Sequence, residues 1–110
     1  MPPSLDDFPR ILLGDFEFEF KTGGHPEGPP FPICGCAIEL WSGEEYRVWM
    51  KDVKMGATPP WPHDDETLFV CYKAMAEMRC YFSLGWKPPR YVLDLFPEYR
   101  QVRNGSLALV

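Results

Sequence analysis

The stretch ILLGDFEFEF, residues 11–20, decides the fold of this chain. It begins with apolar residues and then alternates strictly between an acid and a phenylalanine. Alternation with a period of two is typical of a β-strand whose two faces have different surroundings. We therefore predict a strand with all the phenylalanines on one face and all the acids on the other. The phenylalanines are Phe16, Phe18 and Phe20, whereas the acids are Asp15, Glu17 and Glu19.

The segments that follow this strand predict a three-strand meander. After the loop KTGGHPEGPPFP, residues 33–41 read as a second strand, Ser42–Glu45 as a turn and Tyr46–Met50 as the returning strand. Strands joined in this order by loops pair antiparallel, and the first of them carries the acids. Residues 51–66 are predicted to form a second loop.

The segment TLFVCYKAMAEMRCYFSLGW, residues 67–86, allows two interpretations. One is a single long helix, capped by an aspartate at position 64 or 65, that runs to Leu84. The other is a buried strand over Leu68–Tyr72, followed by a helix from about Ala74 to Leu84. Five consecutive apolar residues favour the strand, and the Ala- and Met-rich stretch after them favours the helix.

The last part of the chain completes an α/β pattern. YVLDLF, residues 91–96, reads as a short buried strand, and residues 98–105 as a short helix. Strands that alternate with helices after a meander predict an α/β domain with a mixed sheet. The 110 residues fit one domain, with residues 1–10 as an N-terminal tail.

Composition and charge exclude several classes of protein. The chain is 45% hydrophobic and 15% aromatic, which supports a packed core and rules out wholesale disorder. No apolar run approaches the ~18 residues of a membrane span, so no membrane partner is predicted. The net charge of −5 excludes nucleic-acid binding through bulk positive charge, but it is compatible with a nuclease that holds divalent metal.

The four cysteines do not form a disulfide framework or a zinc motif. Cys34 and Cys36 are spaced C-x-C rather than C-x2-C, and no second pair follows at zinc-site spacing. We expect both to be small buried side chains of a strand. Without a secretory signal, reduced thiols and a cytoplasmic location are expected.

The acids inside apolar segments carry the chemical information. Asp15 and Glu17 lie two apart in a strand, so they project from one face about 6.5–7 Å apart. Carboxylates this close repel each other unless a cation lies between them, and hard oxygen ligands suit Mg²⁺ or Mn²⁺. The alternative is the solvent face of an amphipathic strand, with Glu19 completing the row.

Two further acids are ambiguous when taken alone. Glu77 is more often a solvated position on a helix. Asp94 lies within Val-Leu-Asp-Leu-Phe, where a buried carboxylate costs several kcal/mol unless it is paired or hydrogen-bonded. It either belongs to a site or caps the next turn.

Several of these residues together resemble a known family. DFEFEF looks like the first motif, Asp-x-Glu, of the DEDD 3′–5′ exonuclease superfamily, and residues 12–100 resemble the proofreading-type exonuclease domain of family A DNA polymerases. In the second motif Glu77 occupies the acid position, and Gly85 lies at the matching distance beyond it. Asp94 falls where the family has the aspartate of a short strand. The resemblance implies a ribonuclease H-like fold, and with it the strand at Leu68–Tyr72.

The chain also departs from the family pattern. Lys73 stands where the family has Asn, and Glu77 where it has Asp. The third motif, Tyr-x-x-x-Asp, and the polymerase domain are absent from these 110 residues. The sequence is therefore expected to represent the N-terminal part of such an exonuclease domain, truncated at its C-terminus.

The resemblance implies two-metal hydrolysis of phosphodiester bonds at the 3′ end of single-stranded DNA. Asp15 would bridge two Mg²⁺ or Mn²⁺ ions, Glu17 would hold the ion that carries the attacking water, and Glu77 would join the second ion. Asp94 would stand behind these ligands, and a polymerase domain, in cis or in trans, would be the protein partner. Two alternatives stay open. One is a catalytically silent module that binds single-stranded DNA or a polymerase, and the other is an unrelated α/β interaction protein.

Overall fold

The computed structural model describes residues 4–20, 30–53 and 58–108. Five strands and two α-helices follow one another along the chain, with single-turn 3₁₀ helices at Leu5–Asp7 and Met50–Asp52. The strands are β1 (Arg10–Phe20), β2 (Pro30–Glu39), β3 (Glu45–Trp49), β4 (Thr67–Cys71) and β5 (Tyr91–Asp94), and the helices are α1 (Ala74–Ser83) and α2 (Leu95–Ala108).

The strands form one mixed sheet in the order β3-β2-β1-β4-β5. The pairs β1–β2 and β2–β3 are antiparallel, whereas β1–β4 and β4–β5 are parallel. This confirms the predicted α/β class, the antiparallel meander and its extension by parallel strands. The interpretation of residues 67–86 as a strand followed by a helix is also confirmed, and the single long helix is wrong.

Strand β1 pairs with β2 over a longer stretch than with β4. It pairs with β2 from Leu12 to Phe20, with a bulge between Glu17 and Phe18, but it pairs with β4 only over Arg10–Leu13. Beyond Leu13 the β4 side of β1 therefore has no strand partner in the ranges described. Helix α1 begins three residues after the end of β4, which brings its first turns to this free edge.

The main core lies on the face of the sheet that α1 covers. Leu12 and Phe16 point into it from β1. The aromatic rings contact one another mainly edge to face, and the Trp61 indole N–H donates a 3.0 Å hydrogen bond to the Tyr81 hydroxyl. The largest members of this cluster are Phe16, Trp61, Phe69, Tyr81 and Trp86.

The opposite face of the sheet is covered only in part. Ile11, Leu68 and Val70 form a small second core beneath Phe8 and the β5 residues Tyr91 and Leu93. Next to it, apolar side chains of β1, β2 and β3 remain exposed. They are Leu13, Phe31, Ile33, Ile38 and Trp49.

Three predictions about local structure need correction. The predicted strand over residues 91–96 ends at Asp94, because Leu95 already begins α2, and β5 is only partly buried. Helix α2 is longer than the predicted helix over 98–105. Cys36 is exposed and Cys34 only half-buried, because the pairing with β1 turns both away from the core.

Within the described ranges, no helix is long and apolar enough to cross a membrane.

Candidate functional site

Glu77 of α1 reaches the free edge of β1. Its side chain is only 4% exposed, its carboxylate accepts a hydrogen bond from the Phe16 backbone N–H, and it lies beside the Asp15 carboxyl. The absence of a β4 partner at this point of β1 makes room for the contact. The interpretation of Glu77 as a solvated helix position is therefore wrong.

The surroundings of Glu77 do not satisfy its charge. Burial raises the pKa of Glu77 to about 8, and the neighbouring charge of Asp15 adds to the effect. One carboxylate oxygen, Oε2, is buried and has no hydrogen-bond partner among the residues that the structure describes. A buried oxygen of this kind is destabilising unless a proton or a cation satisfies it.

Asp15 and Glu17 lie on the face of β1 opposite the main core. Both are exposed, and they stand directly across from Cys36 and Cys34 of β2. Asp15 and Glu77 are neighbours, whereas Glu17 acts on Glu77 more weakly. In the described part of the chain, no three His, Cys, Asp or Glu side chains are arranged to hold a metal ion. A metal at this position would require the exposed carboxylates to turn toward Glu77.

Asp94 joins the beginnings of both helices. Its carboxylate accepts hydrogen bonds of 2.9 Å from the backbone N–H groups of Lys73, Ala74 and Phe96. Burial acts to raise the pKa of Asp94, but the three donors outweigh it and the pKa is lowered. The capping role that we considered for Asp94 is present, and it extends to two helices at once.

An open groove of about 490 Å³ lies beside α1. Its wall carries two cationic side chains, Lys73 and Arg79, and two aromatic rings, Phe18 and Phe96, and the Lys73 ammonium lies 5.0 Å from the centre of the Phe96 ring. The groove was not predicted from the sequence, because its walls come from four separate segments of the chain. The remaining residues of its wall are Pro30, Met75, Ala76 and Asp94.

A further buried acid was also missed. Glu39 is 6% exposed, and its carboxylate accepts hydrogen bonds from the backbone N–H groups of Ile11, Trp41 and Ser42. The Ile11 amide contributes most, and together these donors lower the pKa of Glu39 to about 2 against the effect of burial. An acid within the apolar run PICGCAIEL was the available signal. Glu39 is structural, because it fixes the β2–β3 turn to β1.

These features define an α/β protein with a five-strand mixed sheet and a buried carboxylate at the edge of its central strand. Comparison with known proteins adds no relative: no family model, no curated protein and no solved structure matches the chain.

Proposed function

We propose that this chain is a ribonuclease H-like 3′–5′ exonuclease domain of the proofreading type, which hydrolyses phosphodiester bonds at the 3′ end of single-stranded DNA. The observation that carries the proposal is the buried Glu77 carboxylate beside Asp15, whose Oε2 has no hydrogen-bond partner within the described part of the chain. An antiparallel meander extended by parallel strands is also the sheet that the resemblance implies.

The donor atoms fit a divalent metal. Asp15, Glu17 and Glu77 offer only carboxylate oxygens, which Mg²⁺ and Mn²⁺ prefer. Bound there, such a cation would lower the pKa of an attacking water and stabilise the negative charge that develops at the phosphate. Glu77 contributes a fixed anchor within the protein, and the two exposed acids of β1 can adjust to the ion.

The groove beside α1 suits a single strand of DNA. Lys73 and Arg79 place positive charge where phosphates would lie, although the chain as a whole is acidic. Phe96 and Phe18 in its wall are aromatic, and aromatic side chains are those on which the bases of a single strand stack. Asp94 keeps the beginnings of α1 and α2 together and so holds this groove in shape.

A Mn²⁺ titration of the 110-residue chain tests the proposal. We expect weak binding, detected by loss of the free Mn²⁺ electron paramagnetic resonance signal. Asp15→Asn and Glu77→Gln should each weaken it about tenfold or more, because each removes one of three ligands. Asp6→Asn, which removes an exposed acid outside the proposed set of ligands, is the matched control. Equal binding by all four proteins would contradict the site.

Cleavage is a separate expectation. The isolated chain should trim single-stranded DNA little or not at all, because the Asp and Tyr of the third motif are missing and each positioning group commonly contributes on the order of 100-fold in rate. A longer chain that includes such a motif should cleave, and Asp15→Ala should abolish that cleavage. Strong metal-dependent trimming by the 110 residues alone would contradict this part.

A silent module is the second candidate, favoured by one observation. No metal-ready group of three side chains exists among the residues that the structure describes. Such a module would bind single-stranded DNA or a polymerase domain through the groove without cleavage. Binding of an oligonucleotide that Lys73→Ala weakens, without any Mn²⁺ affinity, would favour this candidate over the exonuclease. Loss of both Mn²⁺ and DNA binding would leave the unrelated interaction protein.

A further inference from the structure

Two thiols and two carboxylates form a rectangle on the open face of the sheet. Asp15 of β1 pairs with Cys36 of β2, and Glu17 pairs with Cys34. Residues that face each other across a ladder point to the same side, with Cα atoms about 4.5–5.5 Å apart. Along each strand the neighbours are about 6.5–7 Å apart. The four side chains are therefore neighbours on one face of the sheet.

The rest of the sheet leaves this rectangle accessible. The alternate residue of β2, Gly35, faces the core, where a Cβ would meet the Phe16 ring and the Met50 methyl. Cys36, Asp15 and Glu17 are exposed and Cys34 is half-buried. In the described part of the chain these four side chains do not yet converge on one point. Exposed side chains on a strand turn about χ1, so an ion can draw them together without a change in the backbone.

The electrostatics of the rectangle favour a cation. The two carboxylates lie across the ladder from the two thiols, and a divalent cation bound between the pairs would neutralise their negative charge. Arg47, the cross-strand neighbour of Cys36 on β3, carries the opposing charge, and its guanidinium also lies 3.0 Å from the Glu45 carboxylate. The two thiols are free, since their separation along a strand lies at the upper limit for a disulfide.

We propose that Cys34, Cys36, Asp15 and Glu17 bind a thiophilic divalent cation, Zn²⁺ or its analogue Cd²⁺, on this face of the sheet. Two sulfurs and two oxygens complete a tetrahedral set, with metal–sulfur distances of about 2.3 Å and metal–oxygen distances of about 2.0–2.2 Å for zinc. Each thiol gives its proton to solvent when the metal binds. The site shares two acids with the proposed exonuclease site, but it stands whether or not the chain is a nuclease.

A Cd²⁺ titration of the reduced 110-residue chain tests this site, with the thiolate-to-cadmium charge-transfer absorption in the ultraviolet as the readout. We expect the band to saturate at one Cd²⁺ per chain, independently of protein concentration. Cys34→Ser and Cys36→Ser should each weaken binding about tenfold or more, and the double variant should lose the band. Asp15→Asn combined with Glu17→Gln should keep the band but weaken binding by a similar factor.

Controls separate this site from the buried thiols and from the exonuclease proposal. Burial raises the pKa of Cys71 to about 12, so this thiol stays protonated, and Cys71→Ala should leave the titration unchanged. The serine double variant should keep its circular dichroism spectrum and its Mn²⁺ affinity, because neither thiol belongs to the carboxylate site. A band that survives in the double variant, one Cd²⁺ per two chains, or binding that ignores the two acids would overturn the proposal.

Discussion

At the scale of single residues, three carboxylates, two of them buried and one half-buried, differ in how the protein satisfies them. Glu39 and Asp94 each accept three backbone N–H groups, and both have lowered pKa values. Glu77 has the Phe16 amide on one side, and its Oε2 has no partner. Most buried polar groups in proteins are hydrogen-bonded, so the exception is the better candidate for a role beyond folding.

Glu77→Gln tests this difference through pH. Because the pKa of Glu77 rises from 4.5 to about 8 on folding, the folded state binds a proton that the unfolded state has released between these values. The stability of the natural chain should therefore fall as pH rises from about 4.5 to 8. Glutamine has no charge to bury, so the variant should be more stable at pH 9 by on the order of 2–4 kcal/mol.

Urea unfolding at pH 4, 7 and 9, followed by circular dichroism, measures this effect. The gap between the two proteins should be smallest at pH 4 and should widen with pH. A gap that stays constant over this range would show that Glu77 is ionised in the folded chain without penalty.

Glu39 should show the opposite pH dependence. Its pKa falls from 4.5 to about 2 on folding, so its contribution is present above pH 4.5 and is lost as pH falls toward 2. Glu39→Gln should destabilise the chain at pH 7 by on the order of 2–3 kcal/mol, because the charged acceptor of three N–H groups is lost. Thermal unfolding at pH 7 and pH 2 should show two proteins that differ clearly at pH 7 and converge in acid.

At the scale of elements, Asp94 connects α1 and α2 through backbone groups alone. Asp94→Ala leaves the N–H groups of Lys73, Ala74 and Phe96 without an acceptor. We expect a loss of about 1–3 kcal/mol in the free energy of unfolding, with loss of helical signal at lower urea concentration. Asp65→Ala, at an exposed carboxylate that makes a surface ion pair with Arg90, should change stability by less than about 1 kcal/mol.

The close packing of β1 on β4 depends on Gly14. A Cβ at this position would collide with the Phe69 ring, which lies in the middle of the main core. Gly14→Ala should therefore destabilise the chain by about 1–3 kcal/mol, through displacement of that ring. Gly43→Ala is a useful contrast, because its φ of +75° strains an alanine although nothing lies within 4 Å of the added methyl. Near-ultraviolet circular dichroism should change in the Gly14 variant only, since only there do aromatic rings move.

The elements that the sequence predicted are those with a strong local signal. The alternation in residues 11–20 defined β1, and the apolar run before Ala74 defined β4, because periodicity reports burial directly. The end of β5 at Asp94 was not predictable in the same way. The strand ends there because the Asp94 carboxylate caps α1 at Ala74, which lies twenty positions earlier in the chain. No local sequence pattern indicates that contact.

The candidate site was predictable only in part for the same reason. Asp15 and Glu17 could be singled out because they share one strand, whereas Glu77 was predicted as a site residue only through the resemblance. Its burial results from the early end of the β1–β4 pairing, which is a property of register. The cysteines were assigned to the wrong face, because small apolar residues on both sides of them gave no signal of orientation.

At the scale of the whole molecule, the two faces of the sheet differ in how far they are covered. One face is closed by α1 and the aromatic cluster, and it supplies most of the buried apolar surface. The other face keeps apolar side chains and both pairs of acid and thiol accessible. An exposed apolar patch of this kind is typical of a binding surface.

The placement of β1 at the centre of the sheet has a consequence for how the chain is made. Its parallel partner lies 57 positions later, since Arg10 pairs with Thr67. During synthesis Phe16 and Phe18 of β1 therefore stay uncovered until α1 and the aromatic cluster have been made, whereas the β2–β3 hairpin closes over a short turn. The acids that alternate with the phenylalanines give this still unpaired strand a charge at every second position. The alternation that defines the fold in the finished protein also protects its first strand from aggregation while the rest is being made.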